Sequence, residues 1–160
     1  MIFKYWTICF VIVGSLVVKS EAIAQVEGFP TELDEQVADI LVLENGAVVE
    51  LERSRVRISR YDYIVLLLDS GSCDIWIEGI GLEECSTLRG PESRYAYSVE
   101  SIVIEEIFDD GEVLFAEDGR RWETYESHVT GLWILPLEVL LIEGEMLELT
   151  AGEKVAVFEF

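Results

Sequence analysis

Positive charge is scarce in this chain. It has 11 Lys and Arg against 32 Asp and Glu, one His, and a formal net charge of −21. A surface of that sign repels nucleic acid and anionic lipid, so neither is an expected partner. Cationic proteins, polyamines or divalent cations are the species it would attract. Cysteine is nearly absent as well. Cys9, Cys73 and Cys85 with the single His128 fall short of a typical four-ligand zinc site once the amino-terminal segment is set aside. There is no Gly-x-Ser-x-Gly elbow for a nucleophilic serine, and no complete catalytic, metal or cofactor constellation. No segment carries a long apolar stripe of 3.6-residue period, so little helix is expected. Disorder is excluded too, because 51% of the residues are hydrophobic and Ile, Val and Leu recur throughout.

The amino terminus reads as a leader. Lys4 precedes the apolar run 7–18, a polar stretch Lys19-Ser20-Glu21 follows, and Ala22-Ile23-Ala24 closes it. That is the order of a secretory signal peptide, with cleavage expected before Gln25. The run is shorter than the roughly 20 residues that span a bilayer, and no lipobox precedes Cys9. The protein is therefore expected to be exported, periplasmic or secreted, without membrane insertion after cleavage. Loss of Lys4, Lys19 and Glu21 would move the charge from −21 to −22 and leave Lys154 as the single lysine. Cys73 and Cys85 would remain, and an even pair in an oxidising compartment predicts a disulfide. Closing a loop of that length stabilises a fold by about 3 kcal/mol in the chain-entropy model.

Short apolar runs separated by acidic-Gly turns predict an all-β fold, either a small barrel or two packed half-barrels. Glu44-Asn45-Gly46 separates runs 39–43 and 47–51, a strong hairpin signal because Asn-Gly adopts positive φ at little cost. Asp109-Asp110-Gly111 and Glu117-Asp118-Gly119 repeat the device between 102–108, 112–116 and 120–125. Further strands are expected at 55–58, 63–68, 74–78, 137–142, 146–149 and 155–160. Sliding the chain by 73 residues places Leu43-Glu44-Asn45-Gly46 on Ala116-Glu117-Asp118-Gly119, and Leu66-Leu67-Leu68 on Val139-Leu140-Leu141. That spacing suggests a tandem strand-turn-strand repeat. The expected organisation is a signal peptide at 1–24, a flexible lead-in at 25–38, a first unit at 39–81, a disulfide-pinned connector at 82–101 and a second unit at 102–160.

Asp118-Gly119-Arg120-Arg121-Trp122-Glu123, then Val129, Leu132-Trp133 and Val139-Leu140-Leu141, resemble a pattern of small exported bacterial β-domain proteins of unknown function. The resemblance covers about 55 residues and implies a small barrel-like fold but no activity. In the first unit Val49 and Arg60 stand where its two tryptophans would be.

The sharpest local motif is Leu66-Leu67-Leu68-Asp69-Ser70-Gly71-Ser72, followed by Ile75-Trp76. It resembles the active-site segment of pepsin-like aspartic proteases, in which two carboxylates share a proton across a water. The repeat-equivalent place reads Leu141-Ile142-Glu143-Gly144-Glu145, so only a homodimer using Asp69 twice would supply both carboxylates. The same residues also read as an ordinary hairpin turn.

Three further groups bear on binding. Trp76, Trp122 and Trp133 are candidates for an aromatic face, or for the core. Arg53, Arg55 and Arg57 alternate, so an extended segment would present them together, with Arg60 continuing the run. They could grip an anion or pair with glutamates on a neighbouring strand. His128 lacks a triad context, and Asp109-Asp110-Gly111-Glu112 lacks the alternating ligands of a calcium loop. The expected function is a noncatalytic exported module, serving interaction or envelope structure. The alternatives are an inhibitor of a cationic lytic enzyme and a homodimeric aspartic protease built on Asp69.

Overall fold

The computed structural model describes residues 26–53, 56–92 and 95–160; the expected leader at 1–24 lies outside them. Nearly every described element is a strand, as the punctuated apolar runs predict. The first sheet contains β1 (Glu27–Thr31), β2 (Leu33–Val37), β3 (Ile40–Leu43), β4 (Val48–Leu51), β5 (Ile64–Asp69), β6 (Ser72–Ile77), β7 (Gly81–Arg89) and β8 (Tyr97–Ser98). The second contains β9 (Glu100–Phe108), β10 (Val113–Ala116), β11 (Arg121–Glu123), β12 (Leu137–Ile142), β13 (Glu145–Glu148), β14 (Lys154–Ala156) and β15 (Phe158–Glu159). One helical turn, α1 (Ser127–Thr130), interrupts the second sheet.

The first sheet curls strongly into a half-barrel, and the second packs against it. The first runs β2-β3-β4-β7-β6-β5-β1-β8, and β1 and β2 are separated only by Glu32, so its order comes round to one stretch of chain. The second runs β14-β13-β12-β9-β10-β11-β15, and only Val157 separates its outermost members. Pairings in the first recur 73 residues later in the second. Phe29↔Leu66 corresponds to Ile102↔Val139, Leu41↔Val49 to Leu114↔Trp122, and Leu67↔Asp74 to Leu140↔Leu147.

The unbroken apolar run Ile64-Val65-Leu66-Leu67 is explained by burial on both faces. Ile64 and Leu66 fill the first sheet's concave core with Leu41, Val49 and Ile75. Val65 and Leu67 turn the other way, joining Trp76, Ile142 and Leu147 in a cluster between the sheets. A strand covered on both sides has no polar face to alternate with. Backbone bonds seal the same junction: Gly79 N–H donates to Gly152 O at 2.9 Å and Leu82 N–H to Leu149 O at 2.8 Å.

Several expected boundaries differ. The 25–38 segment carries β1 and β2 instead of a flexible lead-in, with Phe29 and Leu33 buried in the core. The 82–101 connector contains most of β7, which lies between β4 and β6. Only Gly81 and Cys85 of β7 are buried, so the strand has no apolar alternation to betray it. Cys73 and Cys85 do form the disulfide, and they are directly opposite each other on β6 and β7. The bond staples neighbouring strands rather than a loop. Finally, of the strand expected at 55–58, the described residues 56–58 form none. The Gln36 side chain holds them instead, its Nε2 donating to Val56 O at 2.7 Å and its Oε1 accepting from Ile58 N at 3.1 Å.

Candidate interaction surface

The residues singled out above do not converge on one site. Asp69 ends β5, half-buried and opposite Ser72, and its Oδ1 accepts the Ser70 N–H at 2.6 Å. Its side chain thus organises its own hairpin turn. The pairing Ile142↔Glu145 repeats Asp69↔Ser72 in the second sheet, so buried Ile142 stands where a second carboxylate would be. Arg53 and Arg57 are exposed, Arg60 pairs with Asp34 at 3.1 Å, and no strand is formed over 56–59. Arg55 lies outside the described residues. His128 is exposed on α1.

The tryptophans are core, not a binding face. Trp76 and Trp122 are fully covered, and Trp133 nearly so, with its Nε1–H donating to Glu153 Oε2 at 2.8 Å. Exposed aromatic side chains lie elsewhere. Along β9, β10, β11 and β15, Ile107, Leu114 and Trp122 stand in one register row, and the last two are buried in the core. Alternation then turns the neighbouring rows outward. One outward row is Phe108, Val113, Glu123 and Phe158; the other is Glu106, Phe115, Arg121 and Phe160.

The result is a cluster of solvent-facing rings. Phe108 is 46% exposed, Phe158 55%, Phe160 63% and the adjacent Tyr125 87%. Phe108 meets Phe115 edge-on at 5.0 Å, Tyr125 lies 5.8 Å from Phe158, and the Arg121 guanidinium sits 5.3 Å from the Phe115 ring centre. Covering a large apolar side chain is worth roughly 1.5–3 kcal/mol, so this face retains substantial unrealised burial. Exposed Glu105, Glu106, Glu112 and Glu123 stand beside it and add negative charge. The first sheet has Val37 and Val42 at the places of Phe108 and Phe115, and no aromatic rank among the described residues. The signal was present in the sequence as Phe158-Glu159-Phe160, two rings at strand spacing.

Charged groups also meet near the turn between β10 and β11. Arg120 donates to both oxygens of Glu100, at 2.8 and 2.6 Å, and to Asp118 Oδ2 at 2.7 Å. Those bonds hold both carboxyls below the usual range and raise the guanidinium further. Like charges meet on the first sheet, where Asp74 stands directly opposite Glu84. Burial, and then the Glu84 charge, raise the Asp74 carboxyl above its ordinary value. A carboxyl raised on folding adds stability below the unfolded-state pKa of about 3.9, and loses that advantage as pH climbs through the raised value. Asp74→Asn is therefore expected to stabilise the protein by about 0.5 kcal/mol at neutral pH. The gain should vanish near pH 3 in paired urea titrations, because both side chains are then neutral.

No family model matches this chain, and no curated protein or solved structure matches it.

Proposed function

We propose that this is an exported, noncatalytic β-module that binds a cationic protein through the aromatic face of its second sheet. The carrying observation is the outward rank of Phe108, Phe115, Phe158 and Phe160 with Tyr125, on a chain of net charge −21. Aromatic anchors supply burial and cation–π contact, and the surrounding carboxylates speed encounter with a positive partner. The leader-like amino terminus supports export. The recurrence of pairings at a spacing of 73 supports a tandem duplication, with the second copy specialised for recognition and the first for support. An inhibitor or sequestering partner of a cationic lytic enzyme is the specific form of this reading.

Lysozyme is a suitable first probe of that class. The oxidised protein is expected to bind it at low salt and to lose at least tenfold in affinity at moderate salt. Phe158→Ala with Phe160→Ala should weaken binding by about tenfold or more, without affecting thermal unfolding. Salt-insensitive binding would refute the cationic partner. Undiminished binding by the double variant would refute the aromatic face.

A further inference from the structure

We infer that Asn45 is a modification site, deamidated spontaneously from a locally opened state of the β3–β4 hairpin. It is the one asparagine in the chain, and Gly46 follows it. Asparagine is a labile residue, and its reaction here needs only water. The Gly46 backbone nitrogen attacks Asn45 Cγ, the Cγ–Nδ2 bond breaks, and the nitrogen's proton leaves with Nδ2 as ammonia. Water then opens the cyclic imide at either carbonyl, leaving aspartate or isoaspartate at position 45. A side chain on the following residue would crowd the ring closure, and glycine has none.

The closed hairpin keeps both reacting groups engaged. Gly46 N–H donates to Leu43 O at 2.9 Å, so the nucleophile is occupied. Asn45 Oδ1 accepts the Ala47 N–H at 3.0 Å, which turns the carboxamide toward the start of β4. Further bonds hold the turn: Asn45 N–H donates to Thr31 Oγ1 at 3.2 Å, Glu92 N–H to Asn45 O at 2.8 Å, and Arg89 Nε to Gly46 O at 2.7 Å. Attack therefore waits for a local opening, whose population scales the rate of the free chain. One group works against closure. Asn45 Nδ2 is buried, and among the described residues it has no hydrogen-bond partner. A buried donor left unpaired weakens the state that buries it, so this turn opens more readily than the sheet behind it.

The second sheet shows what the product would need. Asp118 occupies the equivalent turn, with Gly119 N–H donating to Ala116 O at 2.9 Å and Arg120 N–H to Asp118 Oδ1 at 3.0 Å. Its other oxygen accepts from Arg120 Nε at 2.7 Å. At position 45 that second place belongs to the unpartnered Nδ2, and residue 47 is alanine instead of arginine. Glu92 brings a second carboxylate close, since a Cβ on Gly46 would lie 2.6 Å from Glu92 Cγ. An aspartate at 45 would thus bury a charge with no donor to meet it, and deamidation loosens the first sheet.

The test incubates the whole oxidised protein at mildly alkaline pH, in native buffer and in concentrated urea, and follows the peptide containing residue 45 by mass spectrometry. Conversion of amide to acid is expected in both, about tenfold or more slower in native buffer. Arg89→Met keeps the aliphatic stem and removes the donor to Gly46 O. It should speed native conversion about threefold, with the rate in urea and the thermal unfolding temperature unchanged. Asn45→Asp, which is the product, should raise the unfolding equilibrium constant about fivefold or more. Equal rates in the two solvents, or indifference to Arg89→Met, would overturn control by the hairpin. Conversion confined to urea, or accelerated only in step with a lower unfolding temperature, would overturn local opening. No conversion even in urea would overturn the site itself, and an Asn45→Asp variant as stable as the parent would overturn the loosening.

Discussion

Trp76→Ala is expected to lower the unfolding free energy by about 4 kcal/mol, measured by urea denaturation. Trp76 is fully buried in the cluster between the two sheets, with Val65, Leu67, Ile142 and Leu147 around it. Tyr63 meets its ring edge-on at 6.4 Å, and its Nε1–H donates to Glu148 O at 2.7 Å, across to the second sheet. Alanine would remove the ring, leave a cavity and strand a buried carbonyl. Trp76→Phe keeps most of the packing and loses the hydrogen bond, so its cost should be about 2 kcal/mol. The two variants should also differ in cooperativity. With the junction emptied by alanine, the two sheets should unfold in separable transitions, which fluorescence and circular dichroism would report as non-coincident curves. A single coincident transition with a loss below about 1 kcal/mol would show that the junction does not depend on this ring.

Glu148→Ala should cost about 3 to 4 kcal/mol, because it releases several charge-assisted bonds at once. The Glu148 side chain is buried, and Oε1 accepts the Thr150 N–H at 2.8 Å. Oε2 accepts from Ala151 N and from Gly152 N, the latter at 3.2 Å. One carboxylate thus orders the whole turn between β13 and β14. That turn in turn supplies the Leu149 and Gly152 carbonyls that bond the first sheet. Its closeness is visible at Gly152, where an added Cβ would lie 2.5 Å from Gly81 N and Ile77 O. Glu148→Gln retains one acceptor but turns an amide donor toward N–H groups, so roughly half the loss is expected. A glutamine variant as unstable as the alanine variant would mean that charge, not acceptor geometry, holds the turn.

Glu148 also shows where local pattern and tertiary need part company. Its counterpart 73 residues earlier is Ile75, a core residue, and the pairing Val139↔Glu148 repeats Leu66↔Ile75. Alternation alone expects an apolar side chain there. The turn after β13 is longer than the one after β6, its amides need an acceptor, and Glu148 bends to supply it. The same contrast applies to the candidate surface. Asn45-Gly46 and Asp118-Gly119 announced their hairpins, and Cys73 and Cys85 announced their pairing, because turn conformation and disulfide formation depend on few residues. The strand β7 announced nothing, because its membership rests on pairing with β4 and β6 rather than on its own apolar content.

What the sequence determined by itself was the class of the fold, its turns, its disulfide and the spacing of 73 at which its pairings recur. These follow from backbone preference and side-chain alternation, which act over a few residues. Alternation also determined that Phe158 and Phe160 share a face, and that Trp122 lies on the opposite one from its neighbours Arg121 and Glu123. Only the tertiary structure decided which faces are covered. Burial of Trp76, Trp122 and Trp133 and exposure of Phe108, Phe158 and Phe160 depend on how the sheets curl and what packs against them. Those are long-range contacts between distant segments, and no local pattern carries them.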